Sequence, residues 1–247
     1  MLFGGVERMK PEYVLLGSFY GEARTPMPAD DTTTYMNRIY AIGDTVPGME
    51  MQWVKDGNRL ISTYTYARGA SWNRIDRAGY IFGRPMRIDG KAYLCRSLQI
   101  GTASAGPSEW NELLDKYGNL DSIWHWSDVG FWGQEIREDD PDRCFFRGYY
   151  SATYIGVEKK NIGYLQVGFR PVLEPLPPSP ELSKRLLGNL LRVYGPYGPA
   201  AEGELVDFDE YDLALVPSEV QPDNDWTAVS GDKIVINRES ISWMQKI

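Results

Sequence analysis

Apolar positions in this chain fall into short alternating runs more often than into helical periods, so most predicted elements are strands. Tyr13-Val14-Leu15-Leu16, Arg38-Ile39-Tyr40-Ala41-Ile42 and Met51-Gln52-Trp53-Val54 each read as a short strand. Prolines and Asp30-Asp31 mark a loop over 25–34. A turn at Asp56-Gly57-Asn58 leads into a further strand over 59–66. Met86-Arg87-Ile88 and the run 92–98 flank Asp89-Gly90, a pair that accepts the positive φ angles of a two-residue hairpin turn.

Two stretches read as helix. Trp110, Leu113, Leu114 and Tyr117 recur at i, i+3, i+4 and i+7, with Ser108 placed to cap the first turn, Glu109 to meet its dipole and Gly118 to end it. After Leu176-Pro177-Pro178, a stiff linker, Ser179 and Pro180 suit the start of a second helix. It would carry Leu182, Leu186 and Leu187 on one face and stop at Gly188. Short β runs follow at 190–194, 202–207, 211–216, 233–236 and 241–244, the pattern of a small barrel. The expected class is α+β, with one unit over 1–176 and a second over 179–247. Residues 1–83 are the least determined part, and 1–50 offer no chemistry; they are expected to complete the first unit or pack against a neighbour.

Residues 149–167 follow neither period. They hold four tyrosines, two glycines and the cluster Glu158-Lys159-Lys160-Asn161, between Arg147-Gly148 and Gly168-Phe169-Arg170-Pro171-Val172. Tyrosine offers large contact area at low entropic cost, and Ser, Gly and Asn adapt their hydrogen bonds, a mixture that binding paratopes use. The same composition also suits an irregular surface loop with half-buried tyrosines.

The flanks resemble the last part of the C-type lectin-like fold, in the form shared by formylglycine-generating enzymes and the variable proteins of diversity-generating retroelements. Pro107-Ser108-Glu109-Trp110 looks like that family's Pro-Thr-Glu-Ala-Glu-Trp helix, shortened at its start. Gly118-Asn119 with Trp124-His125-Trp126-Ser127 resembles its Gly-Asn-Val-Trp-Glu-Trp-Thr, with three extra residues and His125 in place of Glu. Arg68-Gly69-Ala70-Ser71-Trp72 looks like the family's Arg-Gly-Gly-Ser-Trp but lies far upstream of its place. In the variable proteins, the residues just before Gly-Phe-Arg are the ones the retroelement rewrites. The resemblance therefore implies a ligand surface of Tyr149, Tyr150, Tyr154, Ile155, Val157, Glu158, Asn161, Tyr164 and Leu165, held by Arg147, Gly168 and Arg170.

Further on, 203–215 looks like the central strands of Sm-like proteins, nearest the bacterial RNA chaperones, and 236–242 resembles their last two strands. The family's uridine-reading Lys-His pair aligns with Arg238 and Glu239, so its histidine is lost. The two resemblances imply a C-type lectin-like domain followed by a small Sm-like or SH3-like β-barrel with an N-terminal helix. The barrel would make a homo-oligomeric ring through the edges 211–216 and 233–244.

Composition narrows the partners. At 247 residues, with 43% hydrophobic and 24% charged, the chain has an ordinary globular make-up and room for two domains. It lacks an apolar run of about 18 residues, so no membrane insertion is expected. Its start, MLFGGVERMK, lacks the charged and apolar regions of a secretion signal, which sets the expectation of a cytoplasmic or virion-associated protein. Cys95 and Cys144 are then expected reduced and buried. The net charge is −8, and over 181–247 twelve acidic residues face six basic ones. Nucleic-acid binding needs a basic footprint, so none is expected. Pro222-Asp223-Asn224-Asp225 reads as an enlarged solvated loop.

Candidate chemistry is sparse. The only histidine is His125, between two tryptophans, where a packed role is commoner than a catalytic one. One His and two distant Cys do not make a zinc site, and Asp139-Asp140-Pro141-Asp142 reads as a solvated acidic turn rather than a calcium loop. Formylglycine-generating enzymes hold copper on a cysteine pair near Gly-Phe-Arg, whereas Cys144 stands alone here. No catalytic residue, metal or cofactor is expected. The leading expectation is a non-enzymatic receptor-recognition protein, prophage or retroelement associated, with an unknown protein or glycan ligand. The alternatives are an Sm-like RNA-binding regulator with an appended lectin-like domain, and a formylglycine-type oxidase.

Overall fold

The computed structural model describes residues 8–21, 25–28, 41–218 and 227–247. The strand expected at 38–42 is therefore described only from Ala41. The loop expected over 25–34 is described only over 25–28, where Pro26–Met27 form a short strand instead, and the loop expected at 222–225 lies outside the described residues.

In chain order, β1 (Glu12–Tyr20), β2 (Pro26–Met27), β3 (Ala41–Gly43), β4 (Glu50–Asp56) and β5 (Arg59–Ser62) precede the short helix α1 (Trp72–Arg77). The hairpin of β6 (Arg84–Ile88) and β7 (Lys91–Arg96) leads to α2 (Glu109–Tyr117) and α3 (Asp121–Trp124). Next come β8 (Gly130–Ile136), β9 (Arg143–Gly148), β10 (Ile155–Lys159), β11 (Val167–Gly168) and β12 (Val172–Pro175). The last part holds β13 (Leu190–Gly195), β14 (Gly198–Phe208), β15 (Asp212–Pro217), β16 (Thr227–Ser230), β17 (Lys233–Asn237) and β18 (Trp243–Lys246).

Strands take 46% of the residues and helices 12%, so the fold is mostly β with curled sheets, and the expected α+β class is corrected. The helix expected at the start of the second unit is likewise absent. Only a single 3₁₀ turn, Lys184–Leu186, forms there. The reason is physical: a helix that short is marginal by itself. Leu182 and Leu186 pack directly against the apolar cluster of the C-terminal sheet. Ser179 does not cap a helix; its hydroxyl accepts from the Met244 amide at 3.1 Å.

Other local expectations hold. Asp89 and Gly90 take φ of 50° and 75° at the β6–β7 turn. Ser108 Oγ accepts from the Asn111 amide at the start of α2, whose buried stripe is Trp110, Leu113, Leu114 and Tyr117.

The described residues form three sheets. The large one has the order β2-β1-β4-β5-β12-β7-β6, with β3 also on β1, and the small one runs β10-β9-β8-β11. The chain crosses from one to the other over nine residues. β11 pairs in parallel with β8, Phe169 bridges Tyr66, and β12 then enters the large sheet between β5 and β7. Helix α2 is fastened across that sheet by charge. The Glu109 carboxylate accepts from Arg59 at 2.6 Å, from Arg96 at 2.6 and 2.7 Å and from the Gln99 amide at 2.8 Å. Arg96 also donates to Glu174 on β12.

The third sheet, β16-β17-β15-β14-β13-β18, is built wholly from residues 190–246 and encloses its own apolar cluster of Leu191, Val193, Leu205, Leu213, Leu215 and Ile236. Bulges between Val193 and Tyr194 and between Leu205 and Asp207 bend it. Of the expected ring edges, 211–216 and the 233–237 part of 233–244 need correction, whereas Trp243 and Met244 do lie on an end strand, β18. β15 lies between β14 and β17, and β17 lies between β15 and β16, so each has a neighbour on both sides. Among the described residues the end strands of the sheet are β16, which the sequence pattern does not reveal, and β18. Leu94, Tyr194 and Trp243 form the small apolar contact between this sheet and the large one.

Candidate functional site

The crossing point between the large and the small sheet is held by two buried arginines. Arg147 on β9 donates to the Ile100 carbonyl from Nε at 3.1 Å and Nη2 at 2.7 Å, and to Ala103 and Thr153 at 2.6 and 2.9 Å. Cys144 and Phe146, on the other face of β9, are buried in the main apolar cluster. Arg170, after β11, donates to the carbonyls of Ser62, Thr63 and Trp124 at 2.8, 2.7 and 2.6 Å. Its guanidinium also stands 4.6 Å from the Phe131 ring and 5.4 Å from that of Trp110. Burial pulls Arg170 down to about 9, which still leaves it a cation at neutral pH. Carbonyl dipoles and ring faces thus do the work of a counter-ion. Gly168 belongs to the same junction: a Cβ there would fall 2.3 Å from the Tyr66 carbonyl oxygen.

The segment between these anchors lies along the outside of the small sheet. β10 pairs antiparallel with β9, from Ile155 opposite Arg147 to Lys159 opposite Arg143, and forms one end of the sheet. All nine candidate ligand residues are exposed or half-buried: Tyr150, Asn161 and Leu165 are exposed, and Tyr149, Tyr154, Ile155, Val157, Glu158 and Tyr164 are half-buried. The flanking Arg147, Gly168 and Arg170 are all buried.

The structure brings several of the nine together. Tyr150 meets Tyr149 edge-to-face at 4.6 Å and Tyr154 at 4.9 Å. Tyr154 rests on Phe146 at 6.0 Å, and Tyr164 rests on Trp132 at 6.0 Å. The inner sides of these rings therefore touch the core and their outer sides face away from it. Partial burial and the nearby Glu158 both raise the Tyr164 hydroxyl above its ordinary value, so it stays a neutral donor. Asn161 and Leu165 lie on the return from β10 to β11.

Beside this surface are residues that the segment's composition could not point to. Tyr149 has a φ of 78°, uncommon for a non-glycine residue, and its amide donates to the carbonyls of Trp126 and Val129. Next to Trp126, His125 is also left-handed, with φ 44°, and stacks on Tyr64 at 3.9 Å. Burial lowers His125 from its ordinary value, against the Thr63 carbonyl and with the Arg170 charge adding, so the ring is neutral at pH 7. The early segment that looked like Arg-Gly-Gly-Ser-Trp lies under the far end of 149–167. The Asn73 amide donates to the Lys160 carbonyl at 2.8 Å, and Gly69 donates to Val167 at 3.0 Å. Its glycine and tryptophan were visible in the sequence, but the contact spans about ninety positions and has no local signature.

Reactive groups are few at this surface. Cys95 and Cys144 are free and buried, and burial raises both thiols, Cys144 to about 12, so neither is a thiolate at neutral pH. Asp139 and Asp140 are paired with Arg137 and Arg143. Among the described residues, no three His, Cys, Asp or Glu side chains converge in a way that could hold a metal ion. Nor is any described helix long and apolar enough to cross a membrane. No protein-family model matches this chain, and neither a curated protein nor a solved structure shows significant similarity to it.

Proposed function

We propose that this is a non-enzymatic ligand-binding protein whose residues 149–167 form a diversified recognition surface, as in the variable proteins that its flanking motifs resemble. One observation supports this most: nine accessible positions are set between three anchors that are wholly buried. Such an arrangement separates what must stay constant from what can change. Anchors bonded to distant carbonyls hold the segment's two ends, so substitutions on its outer face leave those bonds in place. Tyrosines supported from beneath by Phe146 and Trp132 present large, partly rigid contact area, which suits a protein or glycan ligand. In the same reading, the C-terminal sheet joins several copies so that weak sites add through avidity.

The test is a display library that randomises Tyr149, Tyr150, Tyr154, Ile155, Val157, Glu158, Asn161, Tyr164 and Leu165 together. Most members should fold, and panning against panels of proteins and glycans should yield binders whose specificity follows these positions. Wholesale unfolding of the library would overturn the reading.

A further inference from the structure

A cavity of about 270 Å³ lies between the large sheet and α1, apart from the surface just described. Phe19, Ile42, Ile75, Tyr80 and Phe169 give it apolar walls, and Tyr197 from the β13–β14 turn closes one side. That turn sits hard against the end of α1: a Cβ on Gly79 would fall 2.4 Å from the Tyr197 carbonyl oxygen.

Its charge is unusual for a chain with a net charge of −8. Arg74, Arg77 and Arg84 line it, and none of the described lining residues is acidic. Arg84 is half-buried, with Nη1 donating to the Ala78 carbonyl at 3.0 Å and the guanidinium 5.2 Å over the Tyr80 ring. Its Nε is buried and meets no hydrogen-bond acceptor among the described residues. A buried cationic N–H without an acceptor is costly, and an anionic oxygen in the cavity would relieve that cost with a charge-assisted bond.

We propose that this cavity binds a small amphipathic anion, with its apolar body against Phe19, Ile75 and Phe169 and its carboxylate at Arg84 and Arg77. The volume lies just below the roughly 300 to 1,000 Å³ usual for ligand pockets, so the ligand is of medium-chain fatty-acid size and not larger. None of the nine positions of the recognition surface lines the cavity, so the site is independent of that reading.

The probe is octanoate, titrated calorimetrically into the full chain beside octanol and octylammonium. Octanoate should bind one per chain, at least about tenfold tighter than octanol, and octylammonium should not bind. Arg84→Gln should weaken octanoate about tenfold while leaving octanol unchanged. Ala78→Leu, which fills the cavity, should abolish binding of both. Tyr150→Ala should bind octanoate like the unchanged chain, which separates this site from the recognition surface. Absent octanoate binding, or equal affinity for octanoate and octanol in the unchanged chain, would overturn the proposal without relying on any variant's folding.

Discussion

Arg170 Nη2 donates to the carbonyl of Trp124 at 2.6 Å, and through that bond the strand leaving the recognition segment is tied to the end of α3. Nη1 of the same side chain donates to the Ser62 and Thr63 carbonyls, so one cation serves three buried acceptors, of which only that of Thr63 also faces His125 Nδ1, at 3.3 Å. Arg170→Met should therefore cost at least about 3 kcal/mol in urea unfolding, since each orphaned buried carbonyl costs about 1 to 3 kcal/mol. Tyr150→Ala, at a side chain 70% exposed, should cost less than about 1 kcal/mol. Tyr154→Ala and Tyr164→Ala should fall between the two, because their rings rest on Phe146 and Trp132. Equal losses at Arg170 and Tyr150 would contradict the division into anchors and surface.

Space, not backbone angle, limits two positions inside the segment. A Cβ on Gly156 would fall 2.2 Å from the Phe146 ring, and one on Gly163 would fall 2.0 Å from the Gly69 carbonyl oxygen. Extending the randomisation to these two should return glycine at both in nearly every folded clone, while the nine outer positions vary. Free substitution at Gly163 would show that the segment does not rest on residues 69–73.

Acid should remove stability in two steps. His125 has a folded value below its ordinary 6.5, so the unfolded chain binds a proton that the folded one refuses. Stability therefore falls as the pH drops through the ordinary histidine range. Glu109 and Asp56 are opposed by burial, but Arg96 and Arg59 for the first, and Lys116 and Arg59 for the second, hold both below their ordinary 4.5 and 3.8. Their contribution is complete above those values and is lost as the pH falls through the lowered folded ones. Denaturant midpoints measured from neutral to acid pH should show both steps. His125→Gln should flatten the upper one, and Glu109→Gln should flatten the lower one while costing about 3 kcal/mol at neutral pH.

Self-association through the C-terminal sheet should depend on its end strands. Val229 on β16 is 80% exposed, and among the described residues β16 and β18 each have one neighbour in the sheet. An edge of this kind invites pairing with another chain, and a charge on it discourages pairing. Sedimentation of the full chain should show an oligomer that Val229→Lys converts to monomer. An oligomer indifferent to that change would remove β16 from the interface.

The sequence by itself determined the elements whose causes lie within a few residues. Asp89-Gly90 makes its hairpin because both residues accept positive φ, and α2 forms because Ser108, Glu109 and a four-residue apolar stripe agree. The same local reasoning erred at 179–187, where burial of Leu182 and Leu186 against the C-terminal sheet outweighed a short helix. It also could not choose edges, because β15 and β17 carry the apolar alternation of any strand, and only pairing decides which strands stay free. The anchors were legible as motifs but not as contacts: Arg170 finds the Ser62 carbonyl 108 positions upstream. Tyrosine suits core and surface equally well. That Tyr150, in the bend after β9, is exposed while Tyr66, bridged to Phe169, is buried follows only from the packing of the whole chain.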